Sequence, residues 1–453
     1  MTYYVQSSEI RRRFAQAMSE MYQSEVPKYG KLIDLVDRVN KETLENNDFL
    51  NERLTGSGEK NRLNIERHGA IRVGTASELS MLRRLFSVMG MFPVGYYDLS
   101  EAGVPVHSTA FRPIEEKELN KNPFRIFTSL LRLDLIENKE LRAHASNILS
   151  KRDIFTSEAK RLVECHQDQG GLTEEQAKVF VSEALETFRW HKDATVDYDT
   201  YQALHNEHSL IADVVCFRGP HINHLTPRTL DIDKAQRYMH EMELNPKSII
   251  EGPPRRQCPI LLRQTSFKAL EESILFSNQH HGSHAARFGE IEQRGIALTP
   301  KGRSLYDSLL KKSKEKTSGL SNEEHQRVLS DVFYDFPDDE ETLRQKGLAY
   351  FEYSLKSSKD LTKNQDEANM ETLIKHGLVS ARPITYEDFL PVSAAGIFQS
   401  NLGDGQKNSY NSNESRASFE EALGSEIIDE HDLYHAIENQ SITSLMKTIN
   451  KKT

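Results

Sequence analysis

Apolar positions recur at helical spacing in three long stretches of the chain. Between residues 8 and 55, Ile10 and Phe14 lie about one turn apart and begin such a series, which is typical of an amphipathic helix. Residues 138–200 and 300–380 show the same spacing among many charged side chains. We therefore predict helical additions at both ends of the chain and a helical insertion in its middle.

A pattern typical of strands separates the first two helical stretches. Residues 64–74 form a strand-like run, and Thr75 then begins an apolar series with helical spacing. Short extended segments follow at residues 94–97, 104–111 and 124–133. The predicted order is therefore strand, helix, strand, strand, strand.

The same order of elements recurs after the helical insertion. Residues 209–217 are predicted to form a buried strand that continues towards residues 221–224. Asp231 or Asp233 is a candidate N-cap for the next helix. Further extended segments are predicted at residues 260–265 and 287–298. No sequence identity links the two halves, so this second unit is predicted from the order of elements alone.

These patterns predict an α+β fold built on two βαβββ units. In chain order the predicted segments are an N-terminal helical segment (1–60), a first βαβββ unit (61–135), a helical insertion (136–205), a second βαβββ unit (206–299) and a mainly helical C-terminal region (300–453).

Composition narrows the classes of partner. The 453-residue chain carries 68 acidic and 58 basic side chains, so its formal net charge is −10. Nucleic acids and anionic membranes need a basic field, and we therefore expect neither as a partner. No apolar run approaches the ~18 residues of a membrane span, and the N-terminus lacks the features of a signal peptide. The three cysteines (Cys165, Cys216 and Cys258) have no CxxC spacing, which favours a reducing, cytoplasmic location.

His68 and Arg72 are the first candidates for chemistry. On a strand their even separation places both on one face, and on a helix the i, i+4 spacing does the same. An arginine beside a ligand histidine suits an anionic substrate, because its planar guanidinium binds a carboxylate through two hydrogen bonds. The alternative is a half-exposed histidine and a surface arginine without function.

Two further polar groups lie in the second predicted unit. His221 and His224 are three residues apart, so that on a strand only one of them faces a given site. Glu290 and Glu292 flank Ile291; they either share an inward face, where a metal is one possible partner, or form the outward face of their strand. Two histidines and one carboxylate can form the facial triad of non-haem iron(II), which leaves positions open for substrate and oxygen.

Other histidines offer alternatives from different classes of protein. The histidine-rich segment 280–284 could hold a metal, although a loop is the commoner interpretation of such a segment. His431 and His435 resemble the H-E-x-x-H zinc helix with Asp432 in place of the glutamate, which would indicate a zinc-dependent hydrolase. The acidic composition also permits a non-catalytic interaction protein.

Four short segments resemble a known family of enzymes. They are residues 67–72 (RHGAIR), 219–226 (GPHINHLT), 288–295 (FGEIEQRG) and 389–398 (FLPVSAAGIF). In this order they resemble the 2-oxoadipate dioxygenase/decarboxylases, also called hydroxyglutarate synthases, which are similar to the vicinal-oxygen-chelate enzymes. The resemblance extends over nearly the whole chain.

This resemblance implies a metal site. It assigns His68, His224 and Glu292 as ligands of Fe(II), and it leaves His221 and Glu290 as neighbours of that site. Two vicinal-oxygen-chelate-like βαβββ units facing each other would then form a cupped mixed β-sheet around the metal.

The resemblance also implies a substrate and a reaction. Arg72 would bind the substrate, His68 and His224 would contact it, and Val392 and Ser393 would line its pocket. The substrate would be 2-oxoadipate, which with O2 would give 2-hydroxyglutarate and CO2 by decarboxylation and intramolecular hydroxylation in lysine degradation.

Overall fold

The computed structural model contains both helices and strands and describes residues 3–267, 270–317, 320–356, 369–390 and 412–450. The strands are β1 (Arg67–Val73), β2 (Phe92–Asp98), β3 (Val106–Arg112), β4 (Arg125–Leu131), β5 (Leu225–Pro227), β6 (Leu262–Ser266), β7 (Leu270–Leu275), β8 (His281–Arg287), β9 (Glu290–Arg294), β10 (Phe351–Leu355) and β11 (Val379–Pro383). The α-helices are α1 (Ser7–Glu25), α2 (Pro27–Glu45), α3 (Asp48–Gly56), α4 (Glu59–Arg62), α5 (Ala76–Val88), α6 (Glu116–Lys121), α7 (Lys139–Ser150), α8 (Ser157–Gln169), α9 (Glu174–Leu185), α10 (Tyr198–Glu207), α11 (Ser209–Val215), α12 (Ile232–Glu241), α13 (Pro300–Thr317), α14 (Asn322–Val332), α15 (Glu340–Gln345), α16 (Met370–Lys375), α17 (Ser412–Leu423) and α18 (Glu430–Asn450). The predicted α+β class is confirmed.

The first five strands form one mixed sheet in the order β2-β3-β4-β1-β5. β1 and β4 run parallel, whereas β2–β3, β3–β4 and β1–β5 are antiparallel pairs. Helix α5 connects β1 to β2. The strands and the helix predicted for the first unit are therefore found in the predicted order, but the short helix α6, which was not predicted, lies between β3 and β4.

Helix α5 begins where the sequence predicts it and covers the apolar side of β1. Thr75 accepts a hydrogen bond from the backbone N–H of Glu78, and the Glu78 carboxylate accepts one from the backbone N–H of Thr75. Leu79 and Leu82 of this helix share a core with Ile71 of β1. Because strand residues alternate between faces, the even-numbered residues of β1 face the opposite side.

Among the strands after the helical insertion, β5 is an edge strand of the same sheet, and β6 and β9 form a separate pair. β5 pairs with β1, and Arg228, just after β5, forms an isolated parallel bridge with Glu292 of β9. β9 in turn pairs with β6. Between β5 and β6, helix α12 begins at the predicted cap, Asp231, whose side chain accepts a hydrogen bond from the Lys234 backbone N–H. The helix and last strand of the second unit therefore lie where they were predicted.

The strand predicted at residues 209–217 is wrong, because this segment contains helix α11. The His208 side chain caps the helix by accepting a hydrogen bond from the Leu210 backbone N–H. Every residue of α11 is buried, and an apolar run of this length fits a buried helix as well as a buried strand. The loop predicted at residues 280–284 is also wrong, since most of that segment belongs to β8.

The chain falls into two units. The first comprises residues 1–251, 264–293 and 389–428, and the second comprises residues 252–263, 294–388 and 429–453. The first contains the five-stranded sheet, and the second contains the antiparallel pair β10–β11. The division into five consecutive segments stays a prediction. None of the helices in the described ranges has the length and apolar character that crossing a membrane requires.

Candidate metal centre

Strand β1 carries His68 and Arg72 on its polar face. His68 is 1% exposed and Arg72 is 3% exposed, so the alternative of a half-exposed histidine and a surface arginine is wrong. Across the sheet, His68 lies level with Arg125 of β4 and with Thr226 of β5. Side chains of one such row share a face of the sheet, so β5 contributes a hydroxyl to the surroundings of His68.

Glu290 and Glu292 share the inward face of β9. Both carboxylates are buried, and Ile291 between them packs into the apolar core on the other side. The inward interpretation of this pair is therefore confirmed and the outward one is wrong. Two carboxylates buried on one face need a cation or proton donors as partners.

The two carboxylates flank the ring of His68. Nε2 lies 3.0 Å from Glu290 Oε1, and Nδ1 lies 2.9 Å from Glu292 Oε2. Burial lowers the pKa of His68, but the carboxylates of Glu292 and Glu290 together raise it above its ordinary value. Nδ1 and the Glu292 carboxylate are in direct contact. Ligands about 2.1 Å from one ion and at right angles to each other are about 3 Å apart, so this nitrogen and oxygen are spaced like two ligands of one cation.

His224 is held in a defined tautomer next to His68. Its Nδ1 lies 2.9 Å from Thr226 Oγ1, and that hydroxyl donates to Glu290 Oε1 at 2.9 Å. Because the single hydroxyl proton is used by Glu290, Thr226 accepts the Nδ1 proton of His224. The ring therefore keeps a lone pair on Nε2, which is the form that binds a metal. Burial lowers the pKa of His224 to about 4, which keeps the ring neutral at pH 7.

Glu290 connects both histidines. Its Oε1 also accepts a hydrogen bond from Gln264 Nε2 at 2.9 Å. Burial raises the pKa of Glu290, but His224 and His68 outweigh it and the net effect is a lower pKa. Ligand atoms of His68, His224 and Glu290 lie within 4.8 Å of one another, the only such group of three within the described ranges. The donor set of imidazole and carboxylate suits a divalent transition metal.

Aromatic rings enclose the two histidines. The edge of Phe389 contacts His68 at a centroid distance of 4.9 Å, and Phe288 stacks on His224 at the same distance. Phe127 of β4 packs against Phe389. Apolar walls exclude water and strengthen electrostatic interactions inside the site.

Close backbone contacts place His224 against β1. A Cβ at Gly69 would lie 2.5 Å from Ile222 Cδ1 and 3.3 Å from the His224 carbonyl oxygen. The backbone N–H of Asn223 donates to the Ala70 carbonyl at 2.9 Å. Only glycine at position 69 leaves room for this approach.

The N-terminal helix α1 braces the same region. The hydroxyl of Tyr22 lies 3.0 Å from the Asn223 carbonyl oxygen and 2.7 Å from that of Phe288. These two residues adjoin the segments that carry His224 and Glu290. One buried hydroxyl therefore ties together two parts of the site that are distant in sequence, and the apolar pattern of α1 gives no sign of this role.

At the other end of the polar face, Arg72 pairs with Asp213 of α11. Arg72 Nη1 donates to Asp213 Oδ2 at 2.6 Å. His284 Nε2 lies 2.9 Å from Asp213 Oδ1, and His221 Nε2 lies 3.6 Å from it. The two histidines therefore lie apart, with His221 near Asp213 and His224 beside His68. The predicted strand on which this separation was expected is wrong, because residues 221–224 precede β5 and belong to no strand. Asp213 lies inside an apolar run, so no local pattern indicated a functional role for it.

The remaining candidates do not meet at a metal site. His431 and His435 belong to no group of three potential ligands in the part of the chain that the structure describes. His435 is exposed and contacts the Asn439 side chain. Val392 and Ser393 lie outside the described residues.

Comparisons with known proteins agree with one another. The model of the 2-oxoadipate dioxygenase/decarboxylase family matches residues 14–401. A protein of Escherichia coli (strain K12) named 2-oxoadipate dioxygenase/decarboxylase is 60% identical over 96% of this chain and 98% of its own length. A protein of that name from Pseudomonas putida is 53% identical over 99% of this chain and 98% of its own length. The crystal structure of the Pseudomonas putida hydroxyglutarate synthase in complex with 2-oxoadipate matches with a TM-score of 0.90 and 51% identity, over 99% of each chain.

Proposed function

The chain belongs to the 2-oxoadipate dioxygenase/decarboxylase family, and on that premise we propose that it converts 2-oxoadipate and O2 into 2-hydroxyglutarate and CO2 with Fe(II) as its cofactor. The identity of 53–60% to relatives of that name over nearly their full lengths supports the reaction. The related structure in complex with 2-oxoadipate supports the substrate. A role in lysine degradation in the cytoplasm is part of the same proposal.

The single observation that carries the metal is the cluster of His68 and His224 with buried carboxylates of β9. We assign Glu292 as the third ligand, as the resemblance implies, and the 2.9 Å separation between its Oε2 and His68 Nδ1, which two ligands of one cation would have, supports this choice. Glu290 is the alternative, because it lies in the tightest group with the two histidines. Its Oε1 already accepts protons from two neutral donors, which suits a residue that orients ligands.

Fe(II) bound by such a set supplies a Lewis acid and the one-electron chemistry of oxidative decarboxylation. The protein's part is to position the substrate and keep water out. Phe389 and Phe288 shield the histidines from solvent. In such a closed site the substrate is oriented by the few charged groups that face it.

Arg72 is proposed to bind the distal carboxylate of 2-oxoadipate. Four residues of strand span roughly 13 Å, and both side chains of His68 and Arg72 extend over the same face of β1. A diacid with its 2-oxo end at the metal and its far end at Arg72 fits between them as a chain of limited length. A neutral or much shorter acid would leave the buried guanidinium without that carboxylate, which costs binding energy.

Oxygen uptake by Fe(II)-reconstituted protein tests the reaction. With 2-oxoadipate the protein should consume O2 and release equal amounts of CO2 and 2-hydroxyglutarate, and shorter or longer 2-oxo diacids should react more slowly. No uptake with any 2-oxo acid in the presence of bound iron would overturn the proposal.

Matched variants test the ligands. We expect His68→Ala, His224→Ala and Glu292→Gln to weaken iron binding at least tenfold, and Glu290→Gln to weaken it less than Glu292→Gln. His435→Ala is the control and should bind iron like the wild type. Iron per folded chain after anaerobic dialysis is the measurement, and the reverse order for the two glutamine variants would assign Glu290 as the ligand.

A further inference from the structure

We infer that Asp213 is a positioning residue for Arg72, and that the hydrogen-bonded series Tyr201–His284–Asp213 sets the length of the diacid that the enzyme accepts. This inference rests on the proposed function.

The contacts form a continuous buried series. Tyr201 OH lies 2.9 Å from His284 Nδ1, and His284 Nε2 lies 2.9 Å from Asp213 Oδ1. Asp213 Oδ2 accepts the hydrogen bond from Arg72 Nη1 at 2.6 Å. All four side chains are at most 4% exposed. Since His284 donates to Asp213 from Nε2, its Nδ1 accepts the hydroxyl proton of Tyr201, and each group is oriented by the next.

Asp213 is held in its charged form. Burial raises the pKa of Asp213, but His221, Arg72 and His284 outweigh burial and bring it well below its ordinary value. Burial lowers the pKa of His221 to about 4, and its Nε2 accepts a hydrogen bond from the Asn223 amide. Asp213 therefore faces the Arg72 guanidinium as a charged carboxylate.

Asp213 fixes the direction in which the guanidinium points. A planar guanidinium presents its N–H groups in a rigid fork, and Asp213 holds Nη1 of Arg72. The position of Asp213 therefore determines where the guanidinium meets the distal carboxylate. Homologous diacids differ by one carbon, or roughly 1.5 Å of bond length, so a small displacement of the guanidinium changes which homologue fits.

The test compares chain-length preference in two variants with intact iron sites. Asp213→Asn keeps the shape of the side chain and removes its charge. We expect the ratio of kcat/KM for 2-oxoadipate to kcat/KM for 2-oxoglutarate to fall at least tenfold. The amount of 2-hydroxyglutarate formed per O2 consumed should fall as well, because the diacid is held less firmly after CO2 leaves. If both the ratio of kcat/KM values and the 2-hydroxyglutarate formed per O2 stay within twofold of the wild type, the inference is overturned.

Glu78→Gln is the matched control. Glu78 is also a buried acid paired with an arginine, since Arg152 contacts both of its oxygens, and Arg152 in turn donates to the Val214 carbonyl of α11. This variant loosens the same helix without touching Arg72. It should unfold at lower temperature but keep the chain-length ratio within twofold, whereas an equal loss of the ratio in both variants would mean that Asp213 acts only through stability and would overturn the inference.

Tyr201→Phe and the single tryptophan provide a second, independent measurement. Trp190 stacks on His284 and contacts His221 edge-on, so its fluorescence reports on the cluster. Anaerobic titration with 2-oxoadipate should change Trp190 emission, and Tyr201→Phe should shift the midpoint and lower the chain-length ratio about threefold. If Asp213→Asn does not fold, the chain-length ratio of Tyr201→Phe provides the test, and an unchanged ratio in that variant overturns the inference. Failure of the wild type to consume O2 would instead count against the proposed function.

Discussion

The hydroxyl of Thr226 should control how tightly the metal binds. Thr226 accepts the Nδ1 proton of His224 and donates its own proton to Glu290 Oε1, both at 2.9 Å. Thr226→Val keeps the branched shape of the side chain and removes both hydrogen bonds. His224 then loses the partner that fixes its tautomer, and its buried Nδ1 proton is left without an acceptor.

The expected size of the effect follows from these two bonds. A buried donor without a partner costs about 1–3 kcal/mol, and outer partners of ligand histidines are worth about 10–100-fold in metal affinity. The two figures agree, since each tenfold change is about 1.4 kcal/mol. Glu290 keeps its hydrogen bond from Gln264, so we expect Thr226→Val to lower the affinity for Fe(II) by one to two orders of magnitude and not to abolish it.

Anaerobic competition between the protein and a chelator of known affinity measures this change. Thr226→Ser retains the hydroxyl, loses one methyl group and should bind Fe(II) within about threefold of the wild type. Thermal unfolding of the metal-free variants shows whether stability changes as well. If Thr226→Val binds Fe(II) within threefold of the wild type, the proposed control of the His224 tautomer by Thr226 is refuted. If the proposal is correct, saturating Fe(II) should restore most of the turnover of this variant.

Three further predictions concern other parts of the chain. Arg72→Ala should lose most turnover with 2-oxoadipate while iron content stays near the wild-type value; loss of iron as well would indicate a structural role. Tyr22→Phe removes a hydroxyl from two buried carbonyl groups and should lower the free energy of unfolding by about 1–3 kcal/mol, measured by urea denaturation; no change would mean that the two segments do not need this contact. Burial and the charge of Asp388 raise the pKa of Glu430 to about 7, so its ionised form opposes folding above that pH. Glu430→Gln should therefore raise the free energy of unfolding at pH 8 by at most about 3 kcal/mol, which a higher melting temperature would show. At pH 5 the folded protein already carries the neutral acid, so the melting temperature should hardly change. Equal shifts at both pH values would contradict this pKa.

Local patterns were sufficient for the residues on regular strands. The even spacing of His68 and Arg72, and of Glu290 and Glu292, fixes a shared face once each segment is a strand, because side chains alternate with a period of two. The helix N-caps at Thr75 and Asp231 could likewise be predicted from the sequence, because each cap depends on a few neighbouring residues.

Contacts between segments that are distant in sequence could not be predicted from local patterns. Asp213 lies in an apolar run whose length fits either a helix or a strand, and its role depends on Arg72, 141 positions away. Tyr22 has the pattern of an ordinary core residue, and its hydroxyl meets carbonyl groups more than 200 positions further along the chain. Such pairings are set by the tertiary fold, and no local spacing encodes them.

His68, the proposed metal ligand, and Arg72, the proposed substrate-binding residue, lie on one β-strand, and this limits how the protein could change its preferred substrate. Moving the arginine to the next position on the same face would shift it by roughly 6.6 Å, which is several carbon–carbon bonds. A preference for a neighbouring homologue therefore cannot arise by relocating the cation along β1. Evolution or engineering would have to change the preferred chain length through Asp213 and His284, which hold the arginine, or through the opposite wall of the cavity.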